Sequence, residues 1–171
     1  PAKSAQALQD VKAFWSRFID TEVVETPDEA LNFMTNYWLK YQSISGRLWG
    51  KSGLYQVSAG IGYRDQLQDS QIFLVSEPEY TKKQLLMHAA HQFIEGDVYH
   101  WWFSIRGGGP RTNCSDDLLW LPFILDAYLM ETADFAILDE KAPYLNGPAE
   151  PLYDHCKRAI ERSFSRFSPR G

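Results

Sequence analysis

Apolar residues recur at helical spacing over most of this chain, and the alternation expected of strands is weak throughout. Residues 5–18 read as a short first helix. A longer one is predicted after Thr26-Pro27-Asp28, with Thr26 as N-cap, Pro27 in the first helical position and acids in the first turn. It carries Leu31, Met34, Trp38 and Tyr41 at helical spacing and is expected to end near Gly46. Further helices are predicted over 65–75, with Leu67, Ile72 and Phe73 facing inward, and over 79–93, with Gly96 as terminator. Others follow from Ser115 onward, over 136–141, and along the last stretch to Phe167. Pro122 falls near the second turn of the helix from Ser115, so a kink is expected there. The predicted fold class is all-α, with a single domain over 1–171.

Two long connections interrupt this helical pattern. Residues 46–62 contain glycines at 46, 50, 53, 60 and 62, and residues 97–114 contain "YHWW" followed by "GGG". Structureless connections of this length in a compact domain are usually functional.

Composition narrows the class of protein. At 171 residues the chain can bury one sizeable core, and 44% hydrophobic with 23% charged residues suits a soluble globular domain. No apolar run approaches the ~20 residues that span a bilayer, and no signal peptide is visible. The chain starts at Pro1 without a Met, which leaves a removed leader open. A net charge of -5 argues against nucleic acid or an anionic membrane as a partner, because neutralising phosphates needs clustered Lys and Arg. Cys114 and Cys156 have no CxxC spacing, so neither a disulfide framework nor a zinc cluster is expected, and a reducing compartment fits. The 15% aromatic content is unusual, and much of it sits beside polar residues, as in "GRLWGKSGLYQ" and "YHWWFSIR". A large aromatic core explains this. So does a sugar site, in which rings stack on pyranose C–H patches and polar groups meet the hydroxyls.

Four stretches carry candidate chemistry. In "RTNCSDDLLWLP", Asp116 and Asp117 stand against an apolar run. One reading makes Ser115 an N-cap and the acids first-turn residues favoured by the helix dipole. In the other, Cys114, Trp120 and the neighbouring loop give an apolar surround that raises a carboxyl pKa, as protonation of a glycosidic oxygen requires. In "GYRDQLQD", Arg64 and Asp69 flank a helix start rich in groups that suit sugar hydroxyls. His88 and His91 lie i, i+3 but lack a third ligand at a recognisable spacing, so they read as core histidines and no metal is expected. "IRGGGPRT" offers glycines and two arginines to an anion but lacks the lysine of a phosphate loop. GxSxG is absent, and neither cysteine has a nucleophile context.

Taken in order, "YQSISGRLWGKSGLYQ", "GIGYRDQLQDS", "QFIEGDVYHWW" and "RTNCSDDLLWLP" resemble the catalytic domain of the inverting glycoside phosphorylases of glycoside hydrolase family 94. That family includes cellobiose, chitobiose and 1,2-β-oligoglucan phosphorylases and the C-terminal domain of cyclic β-1,2-glucan synthases. "RDQLQD" and "SDDLLWLP" look closest to the β-1,2-glucan branch, and the similarity runs from about Leu31 onward. The resemblance implies an (α/α)6 barrel of which this chain supplies about the first half. The rest of a parent polypeptide would complete it, and a homodimer of the parent is allowed. It implies Asp116 as general acid and Asp117 as its support. Arg64 and Asp69 would hold the sugar on the non-reducing side of the cleaved bond. Arg47, Gln56, Trp102 and Arg111, from the same motifs, join the substrate-binding set. Inorganic phosphate would be the co-substrate, with no cofactor. β-1,2-Glucan is the implied substrate and α-glucose 1-phosphate the product. The implied location is cytoplasmic, or the cytoplasmic face of the inner membrane within a glucan synthase. Departures are Phe103 where the family often reads His, "SAGIGYRDQ" where two glycines and an apolar residue are usual, and Cys114 where the disaccharide phosphorylases have Trp. A hydrolase using water on the same barrel, and a non-catalytic carbohydrate-binding piece of a synthase, are the alternatives.

Overall fold

The structure is a computed structural model and describes residues 2–50, 60–104, 107–168 and 170. Helix α1 (Ala2–Ile19) is followed by one helical run over 29–49: α2 (Glu29–Phe33), a π-type segment Met34–Trp38, α3 (Leu39–Tyr41) and a second π-type segment Gln42–Trp49. The run starts two residues later than Thr26. Asp28 is the N-cap, and its carboxylate accepts from the amides of Ala30 and Leu31 at 2.9 and 3.1 Å. The Thr26 amide and hydroxyl instead hold the Asn32 side chain. The run also continues past Gly46 as far as Trp49. Lys40 ties this run to α1, because its buried ammonium donates to the carbonyls of Ile19, Thr21 and Glu22, where the helix leaves acceptors unpaired.

Helix α4 (Tyr63–Ser70) continues into a 3-10 turn Gln71–Phe73, and α5 (Pro78–Ala89) stops four residues short of Phe93. Past α5, the chain folds back at Gly96 (φ 93°), where a Cβ would meet the Arg158 carbonyl. Helices α6 (Trp120–Thr132) and α7 (Leu152–Phe164) complete the core, separated by a 3-10 turn Phe135–Asp139 and the hairpin β3 (Lys141–Pro143)–β4 (Ala149–Pro151). Helices α4 to α7 pack on one another around Leu67, Leu85, Leu121, Ile124 and Leu152, all fully buried. Each such side chain contributes about 1.5–3 kcal/mol on burial. A second cluster joins α1 and the 29–49 run through Phe18, Ile44, Leu48 and Phe73, with Phe73 stacked on Tyr80 at 4.8 Å.

The connection 97–114 is not a structureless loop. Strand β2 (Trp101–Phe103) pairs antiparallel with β1 (Gly60–Gly62), with Ile61 opposite Trp102. On the other side of this extended stretch, the amides of Phe103, His100 and Thr112 donate to Gly108, Pro110 and Val98 in turn. Residues 108–112 thus fold back along 98–103. Gly109 approaches so closely that a Cβ there would strike the Trp101 carbonyl. This small meander joins the start of α4 to the start of α6.

Candidate active site

The two acids of "SDD" do not cap a helix. Asp116 precedes a 3-10 turn, Asp117–Leu119, and makes no side-chain cap bond. α6 then begins at Trp120, also without a side-chain cap. Pro122 is the third residue of α6, where its missing N–H would have had no helical partner, so the expected kink has no cause.

With no capping role, the two carboxylates face different environments. Asp116 is half exposed (49% for the side chain), and its Oδ2 accepts from Arg64 Nη1 at 3.2 Å and from the Trp120 indole at 3.4 Å. Asp117 is completely buried; its Oδ2 accepts from Thr112 Oγ1 at 2.5 Å and pairs with His100 Nδ1 at 2.8 Å. Thr112 Oγ1 also accepts from the Cys114 amide at 2.9 Å, fixing the loop that leads into the acids. The meander creates this arrangement: the Tyr63 amide donates to the His100 carbonyl at 3.0 Å, setting α4, and Arg64 with it, against the acid loop.

The expected rise in the Asp116 pKa is not found. Partial burial pushes the carboxyl up, but the hydrogen bonds from Arg64 and Trp120 and the charge of Arg64 outweigh it. The carboxyl is held below its ordinary value. Cys114 and Trp120 do not form a dry apolar wall. Trp120 instead offers its N–H, and Arg64 its charge, to Asp116 Oδ2.

Two depressions are lined by residues of these motifs. A cavity of about 570 Å³ is lined by Gln42, Ser43, Gly46, Arg47 and Asp69, with Arg47 Nε donating to Asp69 at 2.9 Å. Gln66 donates to the Arg47 carbonyl at 2.7 Å and anchors the arginine's backbone to α4. A smaller cavity of about 270 Å³, formed by Leu119, Trp120 and Phe123, opens onto Asp116.

The structure therefore brings together Arg64 with Asp116, and Arg47 with Asp69. It does not present Trp102 to a ligand, and it ties the exposed Arg111 to two carboxylates. Trp102 is buried and stacked on His91 with ring centroids 3.9 Å apart, leaving no free face for a sugar. Arg111 is bound by Asp97 at 2.7 Å and Glu95 at 3.1 Å and lies over the Phe93 ring. Gln56 lies outside the described residues. His88 and His91 each bond back to the carbonyl four residues earlier, and burial pushes His91 down, as fits core histidines. Sequence reasoning missed His100 and Thr112, the partners of Asp117. The available signal was the alternation Val98, His100, Trp102 in an extended stretch.

An open polar cleft and a half-exposed acid paired with an arginine are thus set on a helical scaffold. The family follows from comparison with known proteins. Residues 14–171 match the glycosyl hydrolase 94 superfamily, catalytic domain, and the chain belongs to that family. Its mostly helical fold is accordingly part of an (α/α)6 barrel. It is 40% identical to the cyclic β-(1,2)-glucan synthase NdvB of Rhizobium meliloti (strain 1021), aligning 96% of this chain with 6% of that protein. It is 31% identical to solabiose phosphorylase of Paenibacillus borealis (82% of this chain, 17% of that protein). To N,N'-diacetylchitobiose phosphorylase of Vibrio proteolyticus it is 28% identical (92% and 23%). The chain thus spans less than a quarter of the length of these relatives.

Proposed function

We propose that this chain carries the proton-donor side of an inverting glycoside phosphorylase site acting on β-1,2-glucan, with Asp116 as general acid. The observation that carries the reading is the freedom of Asp116: it caps nothing, it is half exposed, and Arg64 and Trp120 meet a single oxygen of it. The relatives support the reaction class, since those named as phosphorylases act on solabiose and diacetylchitobiose. The 40% identity to a cyclic β-(1,2)-glucan synthase supports the linkage.

In the mechanism, the Asp116 carboxyl gives its proton to the glycosidic oxygen as the bond from that oxygen to the anomeric carbon breaks. Inorganic phosphate supplies the new bond from the opposite face, leaving α-glucose 1-phosphate and a glucan shortened by one unit. Asp116 then regains a proton from solvent. One catalytic carboxyl suffices because phosphate is already an anionic nucleophile. The reaction uses no cofactor. For Asp116 to hold a proton near neutral pH, the Arg64 contact must loosen and the carboxyl must be buried; a bound sugar does both, by engaging Arg64 through its hydroxyls and by covering the acid. Asp117, locked by His100 and Thr112, fixes the backbone beneath the acid. Arg47 and Asp69 line the sugar cleft, and Arg64 and Gln56 are further contacts.

The remaining barrel helices and the phosphate-binding groups belong to the rest of the polypeptide, so the chain alone is inactive. The enzyme works in the cytoplasm or at the cytoplasmic face of the inner membrane. No described helix is long and apolar enough to cross a membrane. Asp116→Asn in the complete polypeptide tests the reading: turnover is lost while glucan binding is retained. Retained turnover would contradict it.

A further inference from the structure

Below the acid, three side chains of different metal-ligand chemistry converge. Among the described residues, His100, Cys114 and Asp117 are the group whose donor atoms all lie within 4.8 Å of one another. The His100 Nδ1 is 2.8 Å from Asp117 Oδ2 and 3.9 Å from Cys114 Sγ. The other Asp117 oxygen, Oδ1, is buried with no hydrogen-bond partner, an arrangement that is costly for a carboxylate. Cys114 itself is a free, exposed thiol.

We infer that His100, Cys114 and Asp117 form a binding site for a borderline-soft divalent cation of the zinc class. The donor set selects the cation. Thiolate with imidazole favours zinc-like ions, whereas magnesium and calcium take oxygen ligands. The two distances from His100 fit with small adjustments, and the Cys114–Asp117 pair, within 4.8 Å, closes with them. Zn–S near 2.3 Å and Zn–N and Zn–O near 2.0–2.1 Å, in tetrahedral geometry, place sulfur about 3.5 Å from nitrogen and nitrogen about 3.3 Å from oxygen. The His100–Asp117 pair would open by about half an ångström and the His100–Cys114 pair would close by a similar amount. Thr112 already sets two of the three ligands in place, through the Cys114 amide and the Asp117 carboxylate.

On binding, the Cys114 S–H loses its proton to solvent, and the imidazole offers the Nδ1 lone pair with its remaining hydrogen on Nε2. Asp117 enters as a carboxylate. The cation and its two anionic ligands sum to zero charge, which offsets the buried carboxylate. Three protein ligands leave a fourth position open, so the ion is exchangeable. It is a ligand at the floor of the site and takes no part in the phosphorolysis proposed above.

Titration of the chain with Co2+ alone tests this, read by the thiolate-to-cobalt charge-transfer absorption and followed by displacement with Zn2+. The inference expects one ion per chain and the thiolate band. It expects loss of the band in Cys114→Ser, with Zn2+ affinity in Cys114→Ser and His100→Asn weakened about tenfold or more. The Cys156→Ala variant, which removes the other free thiol, should keep both. Unchanged thermal unfolding of apo Cys114→Ser shows that the fold is intact, as its exposed position leads one to expect. A band that persists in Cys114→Ser, or equal Zn2+ affinity in Cys114→Ser and the parent chain, overturns the inference.

Discussion

The Arg64 guanidinium lies 3.2 Å from the Asp116 carboxylate although the two residues are 52 positions apart in the chain. The contact exists because β1 and β2 pair, which delivers the first turn of α4 to the loop before α6. It holds the carboxyl below its ordinary value, and this has consequences for pH dependence.

Arg64→Gln removes a hydrogen bond and a positive charge from Asp116, both of which hold its carboxyl down. The Asp116 titration, followed by carboxyl carbon NMR in the chain, should move to higher pH in the variant. In the complete polypeptide the proposed contact between Arg64 and the sugar predicts that the same change raises KM. An unmoved titration midpoint would show that the ion pair does not govern the acid.

The strongest electrostatic anchor lies away from the acid. Asp97 is almost completely buried and meets Arg111, Arg162 and Arg166. Burial alone pushes its carboxyl up, but the arginines win and hold it below the usual range. A folded-state pKa below the unfolded value means stability that is present above the unfolded pKa and lost as pH falls through the folded one. Asp97→Asn should therefore lose about 3–5 kcal/mol at neutral pH in urea unfolding, leaving three arginines without their shared partner. It should also show a shallower loss of stability on acidification than the parent chain. Equal acid sensitivity in both would contradict the assignment.

Gly109→Ala places a methyl group against the Trp101 carbonyl and the Trp102 Cα. The backbone must shift to admit it, at about 1–3 kcal/mol. Because residues 108–112 run back along β2 towards Cys114 and the acids, the shift should also perturb the Asp116 carboxyl resonance. A variant with parental stability and an unchanged resonance would mean that the meander is loosely coupled to the site.

Helix existence was legible in the chain because apolar spacing reports burial directly: α4, α5, α6 and α7 all fall on stretches predicted as helix, and Leu67 and Phe73 are buried as expected. Helix starts were less legible. Thr26 and Asp28 both have N-cap side chains, and only the competing bond from Thr26 to Asn32 decides between them. The meander was hidden because its strands are three residues long and one of them is Gly-Ile-Gly, so their pairing rests on long-range contacts and leaves little alternation to read. In the site, Asp116, Arg64, Arg47 and Asp69 stood out by residue type and motif. Trp102 was less legible, because side-chain type says what a residue can bind, whereas a partner such as His91 decides whether its face is free.

The central claim is phosphate-dependent cleavage with Asp116 as proton donor. Its most direct test is to incubate the complete polypeptide with β-1,2-glucan, with and without inorganic phosphate, and to measure α-glucose 1-phosphate. The account predicts release of α-glucose 1-phosphate only with phosphate, and a loss of about 10²–10⁴-fold in rate for Asp116→Asn. Free glucan fragments formed equally without phosphate, or no phosphate-dependent release at all, would contradict it.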